Sequence, residues 1–439
     1  MMRKVTNLFL LASIIAFPAQ AIEARPVVIK RSAALCVAPV GYTPIQTVAQ
    51  FRAIEQNLGG NYFLCNDLDF QNVEMPPIGA ASDGPFRGVL EGNGKVLRNL
   101  RIRAHVGVQD GMPRGGAGIF LELGSGDQPA VVRRLSIIDI QLLRAPNESA
   151  LVQGWDYAGA LAGSGRAEVS DLIVFRVTAD RPRDWAAIPS YPSAVGGVIG
   201  RAVASRFERV FLSNVQLRGM WAGGMVGIFS ALFGGSTTGE IVNGRVLGSA
   251  IEANVAGGIV GEARGPRLNR IETDLSLSGV TVGGAIGIAS SVNISQVNVE
   301  GAIHGRMIGG LAGMLWHIYG VSTAVRDCVS RVGLYPEGPG AFVGGIAGQA
   351  LSTFSGGITR NLFLGTISGT SPIESPLYGF AQGGIGQGNY YDLDTFPMAD
   401  LYGGTGLSDS QLDGYEWEAN GFDPAVWRLF NRQWPILVW

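Results

Sequence analysis

A five-residue signature returns seven times along the chain: two small residues, two mostly apolar residues, then glycine. It reads Gly159-Ala160-Leu161-Ala162-Gly163, then Gly196-Gly197-Val198-Ile199-Gly200, then Gly223-Gly224-Met225-Val226-Gly227. It continues as Gly257-Gly258-Ile259-Val260-Gly261, Gly283-Gly284-Ala285-Ile286-Gly287, Gly309-Gly310-Leu311-Ala312-Gly313 and Gly344-Gly345-Ile346-Ala347-Gly348. Degenerate copies sit at 116–120 and 383–388. The seven full copies are spaced 37, 27, 34, 26, 26 and 35 residues apart. A unit of 26 residues with insertions of 34 − 26 = 8 to 37 − 26 = 11 residues fits most of them. Internal repetition at such a period is the mark of a solenoid or an array.

Between the signatures lie short segments of alternating pattern rich in β-branched residues, such as Leu172 to Val177, Val210 to Leu217, Ile271 to Leu277 and Ile294 to Val299. They read as strands. No long segment of 3.6-residue period separates them, so crossover helices are excluded. A propeller blade needs about 40–45 residues. A coil of three short strands and three turns needs fewer, and stacked coils about 4.8 Å apart make a parallel β-helix. The expected fold is therefore all-β, a single solenoid. The doubled glycines are structural on this reading, with Gly196, Gly197, Gly223, Gly224, Gly257, Gly258, Gly283, Gly284, Gly309, Gly310, Gly344 and Gly345 expected to take positive φ at corners and to let coils approach closely. The apolar pair after each doublet should place one residue inside and one near a corner. Neither a P-loop nor the calcium-binding glycine repeat is present.

The ends depart from the repeat, as the terminal units of a solenoid must if they are to cover open sheet edges. Thr47-Val48-Ala49-Gln50 has the capping-box form. Phe51, Ile54 and Leu58 then make one apolar helix face, and Gly59-Gly60 stops it. A short amphipathic helix over the first coil is expected. At the other end Trp427, Phe430, Trp434, Pro435, Ile436 and Trp439 crowd together. Such a tail is costly to leave in water and should pack as a C-terminal lid. The organisation expected is a leader over 1–21, an arm over 22–44, a cap and first coils over 45–110, repeats over 111–388 and a C-terminal cap over 389–439.

Residues 1–21 have the form of a signal peptide: Arg3 and Lys4, an apolar run from Leu8 to Phe17, and Pro18-Ala19-Gln20-Ala21 as the cleavage site. The run is short for a bilayer span, and no later run of about 18 apolar residues follows. The expected location is outside the cytoplasm: secreted, at the cell surface or periplasmic. Export permits disulfides. Cys36 and Cys65 are placed to tie the arm to the first strand, a closure worth about 3–4 kcal/mol in the entropic model. Cys328 reads as a small buried hydrophobe.

The G-G-x-x-G series resembles the GLUG repeat of bacterial surface proteins. Asn61-Tyr62-Phe63-Leu64-Cys65-Asn66-Asp67-Leu68-Asp69 is similar to the first coil that precedes such repeats, and Trp427-Arg428-Leu429-Phe430 to Trp434-Pro435-Ile436-Leu437 to their closing segment. The similarity spans roughly 45–439. It implies a right-handed parallel β-helix on an exported bacterial protein. GLUG repeats occur in adhesins and beside IgA-cleaving metallopeptidases. No metallopeptidase motif is present here, and the repeat family defines no catalytic residues to carry over.

Composition narrows the chemistry. Charged residues are only 15% and the net charge is −2, which gives no basic footprint for nucleic acid. There are three histidines and three lysines, none of the latter beyond Lys95, so zincin chemistry and a later catalytic lysine are excluded. No metal or cofactor motif is found, and none of either is expected. Two insertions stand out as binding candidates: 145–158 with Trp155, Asp156 and Tyr157, and 180–194 with Arg181, Arg183, Asp184, Trp185 and Tyr191. One repeat apart, they are expected to emerge from the same corner of neighbouring coils. Aromatics beside Asp and Arg suit sugar rings or a protein partner, and packing of those rings on the solenoid flank is the plainer alternative. Trp316, His317 and Tyr319 form a further cluster that reads as core.

The function expected is non-catalytic, adhesin-like binding of an extracellular polysaccharide or a surface protein of a host or neighbouring cell. A polysaccharide-cleaving β-helix enzyme, lyase or glycoside hydrolase, is the alternative. For it Glu272 and Asp274 share a strand face at i, i+2, as do Asp67 with Asp69 and Asp392 with Asp394. A structural spacer is the third reading.

Overall fold

A computed structural model describes residues 36–82, 84–109, 112–143, 155–179, 193–231, 239–316, 323–351, 357–369, 375–382, 388–413, 415–420, 422–428 and 435–437. The leader over 1–21 and the arm up to residue 35 lie outside the described residues. The chain divides into Met1–Cys36 and Val37–Trp439. Cys36 is disulfide-bonded to Cys65, as its position suggested, and Cys328 is free and buried.

Two mainly parallel sheets build most of the second unit, with a two-stranded antiparallel pair, Trp427–Arg428 and Ile436–Leu437, beside them. One stacks Phe120–Leu123, Ala162–Gly165, Ile199–Val203, Val226–Ser230, Val260–Arg264, Ile286–Ser290, Ala312–Trp316, Ala347–Leu351 and Tyr378–Gln382. The other stacks longer strands, among them Arg206–Gly223, Glu240–Gly257, Arg267–Gly283 and Asn293–Gly309. Each residue pairs with its counterpart one repeat on: Phe207 with Ile241, Ile241 with Leu268, Leu268 with Ile294, Ile294 with Val325. This is the expected parallel β-helix. Its interior is built from such rows. One runs Leu97, Ile137, Val174, Leu212, Val246, Thr273, Val299, Ser330, Phe363, all buried. The buried Thr273 hydroxyl donates to the Gly284 carbonyl at 3.2 Å, which meets the rule that interior polar groups be paired. Among the described residues no helix is long and apolar enough to cross a membrane.

The glycine signature folds the chain over at the meeting of the two sheets, and each glycine has its own steric reason. A methyl group on the first would strike the carbonyl oxygen three residues on: 2.1 Å at Gly223 from Val226, 2.0 Å at Gly283 from Ile286. On the second it would strike the matching glycine one coil on: 2.1 Å at Gly224 from Gly258, 2.0 Å at Gly258 from Gly284. On the third it would strike the backbone across the thin interior, 2.6 Å at Gly227 from the Val195 nitrogen. The expectation of positive φ at these glycines is corrected, because none of the twelve has it. Close approach is the whole reason for them. The apolar pairs lie as expected, with Met225, Ile259 and Ala285 in the bend and Val226, Val260 and Ile286 opening the next strand, and all six are at 0% exposure.

Among the described residues positive φ is held by fifteen other glycines and by rows of polar side chains. Arg134, Asp171, Arg209, Asn243, Arg270, Gln296, Asp327 and Arg360 occupy one matching position on successive coils, and Asn99, Asp139, Arg176 and Asn214 another. A non-glycine residue there costs about 1–2 kcal/mol. Stacking opposite charges partly offsets it. Arg209 donates to Asp171 at 2.6 and 3.1 Å, Arg360 to Asp327 at 2.6 and 2.9 Å, and Arg176 to Asp139 in the same two-pronged way. Half-exposed pairs of this kind contribute about 0–1 kcal/mol each. Their clearer effect is on register, since a slipped coil would unpair them.

The N-terminal cap forms as its sequence dictates. Thr47 and Gln50 make the reciprocal capping box of helix Val48–Arg52, which tightens into the 3-10 turn Ala53–Gln56. Phe51 and Ile54 are fully buried, with Phe51 edge-on to Phe70 at 5.6 Å. At the other end Phe396 stacks on Phe363 at 5.6 Å within the interior core. The aromatic tail lies elsewhere. Leu412, Tyr415, Trp417, Phe422, Val426, Trp427 and Leu437 form a separate cluster with Val329, Leu362 and Tyr390. Their strand neighbours Cys328, Phe363 and Tyr391 belong to the interior. Since adjacent strand residues face opposite ways, the tail covers the outer wall of the last coils. Arg331 pins it, donating to the Pro435 carbonyl at 2.5 Å and to Asn298 and Glu300 at 2.9 and 3.2 Å. Phe430, Trp434 and Trp439 lie outside the described residues.

Candidate functional site

Extra residues enter the coil at two places. One follows the short-sheet strands, after Ser230, Trp316, Leu351 and Gln382. The other follows Arg103, Leu143, Ala179 and Pro336 in the long sheet. Register shows that the second is a single corner. Leu142 pairs with Ala179, so 144–154 and 180–192 leave neighbouring coils one residue apart; Tyr157 pairs with Ala194, so they return together. One coil earlier, the antiparallel hairpin His105–Gln109 and Met112–Ala117 occupies the same place, with Gly116 opposite Tyr157. The spacing of the two insertions thus located their common corner. The hairpin was missed, because Gly107 and Pro113 weaken its strand pattern.

The aromatic candidates are placed as follows. Trp155 and Asp156 begin strand Trp155–Gly159, and their side chains lie outside the description, as do Arg181, Arg183, Asp184, Trp185 and Tyr191. Tyr157 is buried, with the Arg201 guanidinium 5.6 Å from its ring centre. It packs on the flank. Trp316 is half exposed, not core as expected, and His317 and Tyr319 lie outside the described residues.

The carboxylates of the enzyme alternative are engaged, Asp274 excepted. Glu272 pairs with Arg245 at 2.7 Å. Asp274 is exposed and aligns with Glu300, which accepts from Asn298 and Arg331. Asp67 accepts the Val96 amide and Asp69 the Gln71 amide. Asp392 and Asp394 lie with Asp409 close enough to share a cation, but their oxygens already accept the loop amides of Asp394, Thr395 and Asp409. Among the described residues, every carboxyl group whose pKa departs clearly from its ordinary value does so downward. Asp69 is held low chiefly by Asn99, Glu74 by Arg103, Asp139 by Arg176 and Asp171 by Arg209. A general acid needs the opposite shift.

Beside the insertion corner lies a shallow depression of about 290 Å³ spanning four coils. Thr178, Gln216, Ala250 and Ser276 stand in one outward row across it, with Arg218, Glu252 and Ser278 in the next. Ala179, the last residue before the 180–192 insertion, lines it too. These residues were missed. Gln216, Ala250 and Ser276 each stand seven residues before their glycine doublet, and Thr178, eighteen before Gly196, joins them only in the register of the coils. No family model, no curated protein and no solved structure matches the chain.

Proposed function

We propose that the chain is an exported, surface-exposed β-helix protein that binds a polysaccharide or a protein surface without cleaving it. One observation carries this reading: at a single corner three neighbouring coils in a row carry chain beyond the repeat. Binding and catalytic residues concentrate on loops held by a rigid scaffold. The apolar leader at 1–21, the Cys36–Cys65 bridge and the likeness of the repeats to GLUG units support an extracellular setting.

The test is a glycan-array and cell-surface binding assay on the purified chain, paired with a Trp155→Ala/Trp185→Ala variant. Loss of an aromatic anchor typically costs about 2 kcal/mol or more, over tenfold in affinity. Unaltered binding in the double variant would place recognition on another surface. Release of reducing ends or unsaturated products, abolished by Glu272→Gln, would replace the binding reading with the enzyme.

A further inference from the structure

The outer wall between the two left-handed corners changes character along the stack of coils. Each coil presents two outward side chains there. One row passes from Ile173 and Phe211 through Arg245 and Glu272 to Val329 and Leu362, the other from Ile138 and Phe175 through Leu247 and Asp274 to Arg331. At the far end the chain's own aromatic tail buries this wall, leaving Val329 at 0% and Leu362 at 1% exposure. At the near end the Arg176 and Arg245 guanidiniums lie 4.4 and 5.9 Å from the Phe175 and Phe211 ring centres. Ile173 is nevertheless 47% exposed, and Ile138, Phe175, Phe211 and Leu247 are partly exposed and belong to neither hydrophobic core. Their strand neighbours Leu172, Val174 and Leu212 are buried, so these side chains face outward. The exposed aromatics of the short sheet, Trp316 and Phe380, stand within three residues of stretches outside the description, whereas this wall is described on every coil from Asp67 to Asn298.

We infer that the uncovered stretch is the face through which two copies of the chain pair, wall on wall, about a twofold axis parallel to the strands. Such an axis reverses the order of the coils and keeps each row opposite itself. Centred between the Ile173 and Phe211 coils, it sets Ile173 against the second copy's Phe211, Phe175 against its Ser213, Ile138 against its Leu247 and Arg98 against its Asp274. Asp274 is exposed and has no ion pair among the described residues, and the Arg98 side chain is 52% exposed beside Asp69. An apolar centre is thus flanked on both sides by a base facing an acid. At the ends Asp69 meets Glu300, each still held by its own arginine, Arg98 at 3.0 Å and Arg331 at 3.2 Å. The tail sets the overlap. It begins over the Val329 coil, one beyond the Asn298 coil that meets the second copy's first coil, and so stops that copy at its N-terminal cap. The other orientation, with coil order kept, would drive the two tails together and Asp274 against Glu272. Seven coil spacings of about 4.8 Å and a strand width of about 16 Å give about 540 Å² of wall per copy, about 1,100 Å² in all, enough for a specific contact of modest affinity.

The test is sedimentation velocity of the purified chain from low to high micromolar concentration. A species of twice the chain mass should appear and grow with concentration. Ile173→Glu/Phe211→Glu should raise its dissociation constant at least about thirtyfold, as loss of a central anchor does. Arg98→Glu alone and Asp274→Arg alone should each weaken pairing, because each brings like charges together. An equimolar mixture of the two should pair again, because both contacts across the interface then join opposite charges. Circular-dichroism melting of each variant separates lost pairing from lost fold, and Asp274→Arg breaks no ion pair within the chain, which keeps a charge test in hand if Arg98→Glu fails to fold. A chain that stays monomeric at high micromolar concentration overturns the inference, even if its wall takes up a synthetic peptide of residues 409–428. So does a dimer that survives Ile173→Glu/Phe211→Glu, or a pair of folded charge variants that does not recover on mixing.

Discussion

Replacing Gly258 by alanine places a methyl carbon 2.0 Å from the Gly284 carbonyl oxygen, where real contacts essentially never fall below 3.0 Å. The two coils must part there by about 3.0 − 2.0 = 1.0 Å. The backbone bonds crossing that gap are Gly258 to Gly283 at 3.3 Å, Ile259 to Ala285 at 2.9 Å and Val260 to Ala285 at 3.2 Å. Stretched by most of an ångström, they leave hydrogen-bonding range. Two or three bonds at about 1 kcal/mol each predict a loss of about 2–4 kcal/mol. Guanidinium titration followed by far-UV circular dichroism measures it. Asparagine separates the two explanations for a glycine, because it tolerates positive φ far better than alanine but is bulkier. At Gly258, where φ is not positive, asparagine should be no better than alanine. At Gly248, with φ +57° and only the Asn214 Oδ1 within 4 Å at 3.5 Å, asparagine should be nearly neutral and alanine should cost about 1 kcal/mol. Rescue by asparagine at Gly258, or an alanine cost below about 0.5 kcal/mol there, would refute the close-approach argument.

Two further outcomes follow from the ionisable groups. Asp139 and Asp171 have folded pKa values below their unfolded ones, so the stability they contribute is present above the ordinary carboxylate range, near pH 4, and is lost as pH falls toward the folded values; the Asp139→Asn/Asp171→Asn variant should show a shallower decline in denaturation midpoint from pH 5 to pH 3 than the wild type, and parallel curves would contradict this. Burial pushes the Cys328 thiol far up, and Cys36 and Cys65 are bridged, so the native chain should give no reaction with Ellman's reagent and the denatured, unreduced chain one equivalent.

The parts legible in the sequence are those where a local pattern has one physical meaning. The Thr47–Gln50 box and the Phe51, Ile54 stripe specify a capped helix wherever they lie. The doubled glycines announce close backbone packing, and their period announces coils. The left-handed corners were illegible because arginine carries no local preference for them and the preference of asparagine and aspartate is shared with ordinary turns; pairing across coils, as between Arg209 and Asp171, supports some of them. Val329 and Leu362 read as ordinary strand residues, and nothing nearby in the chain signals that Trp417 and Trp427 will cover them. The depression depends likewise on which residues come into register.

The two insertion points have a consequence for how such a chain changes over generations. Among the described residues, the contacts that fix the coil lie in the glycine fold-over and the stacked rows. Units 26 and 37 residues long therefore share one pitch. New sequence can enter at these two points without disturbing the frame, whereas inside a strand the room is for a single extra residue, as where Gly248 is absorbed as a bulge and pairing resumes at Ser249 with Leu275. Selection for a new ligand and selection for folding thus act on separate stretches of the same repeat.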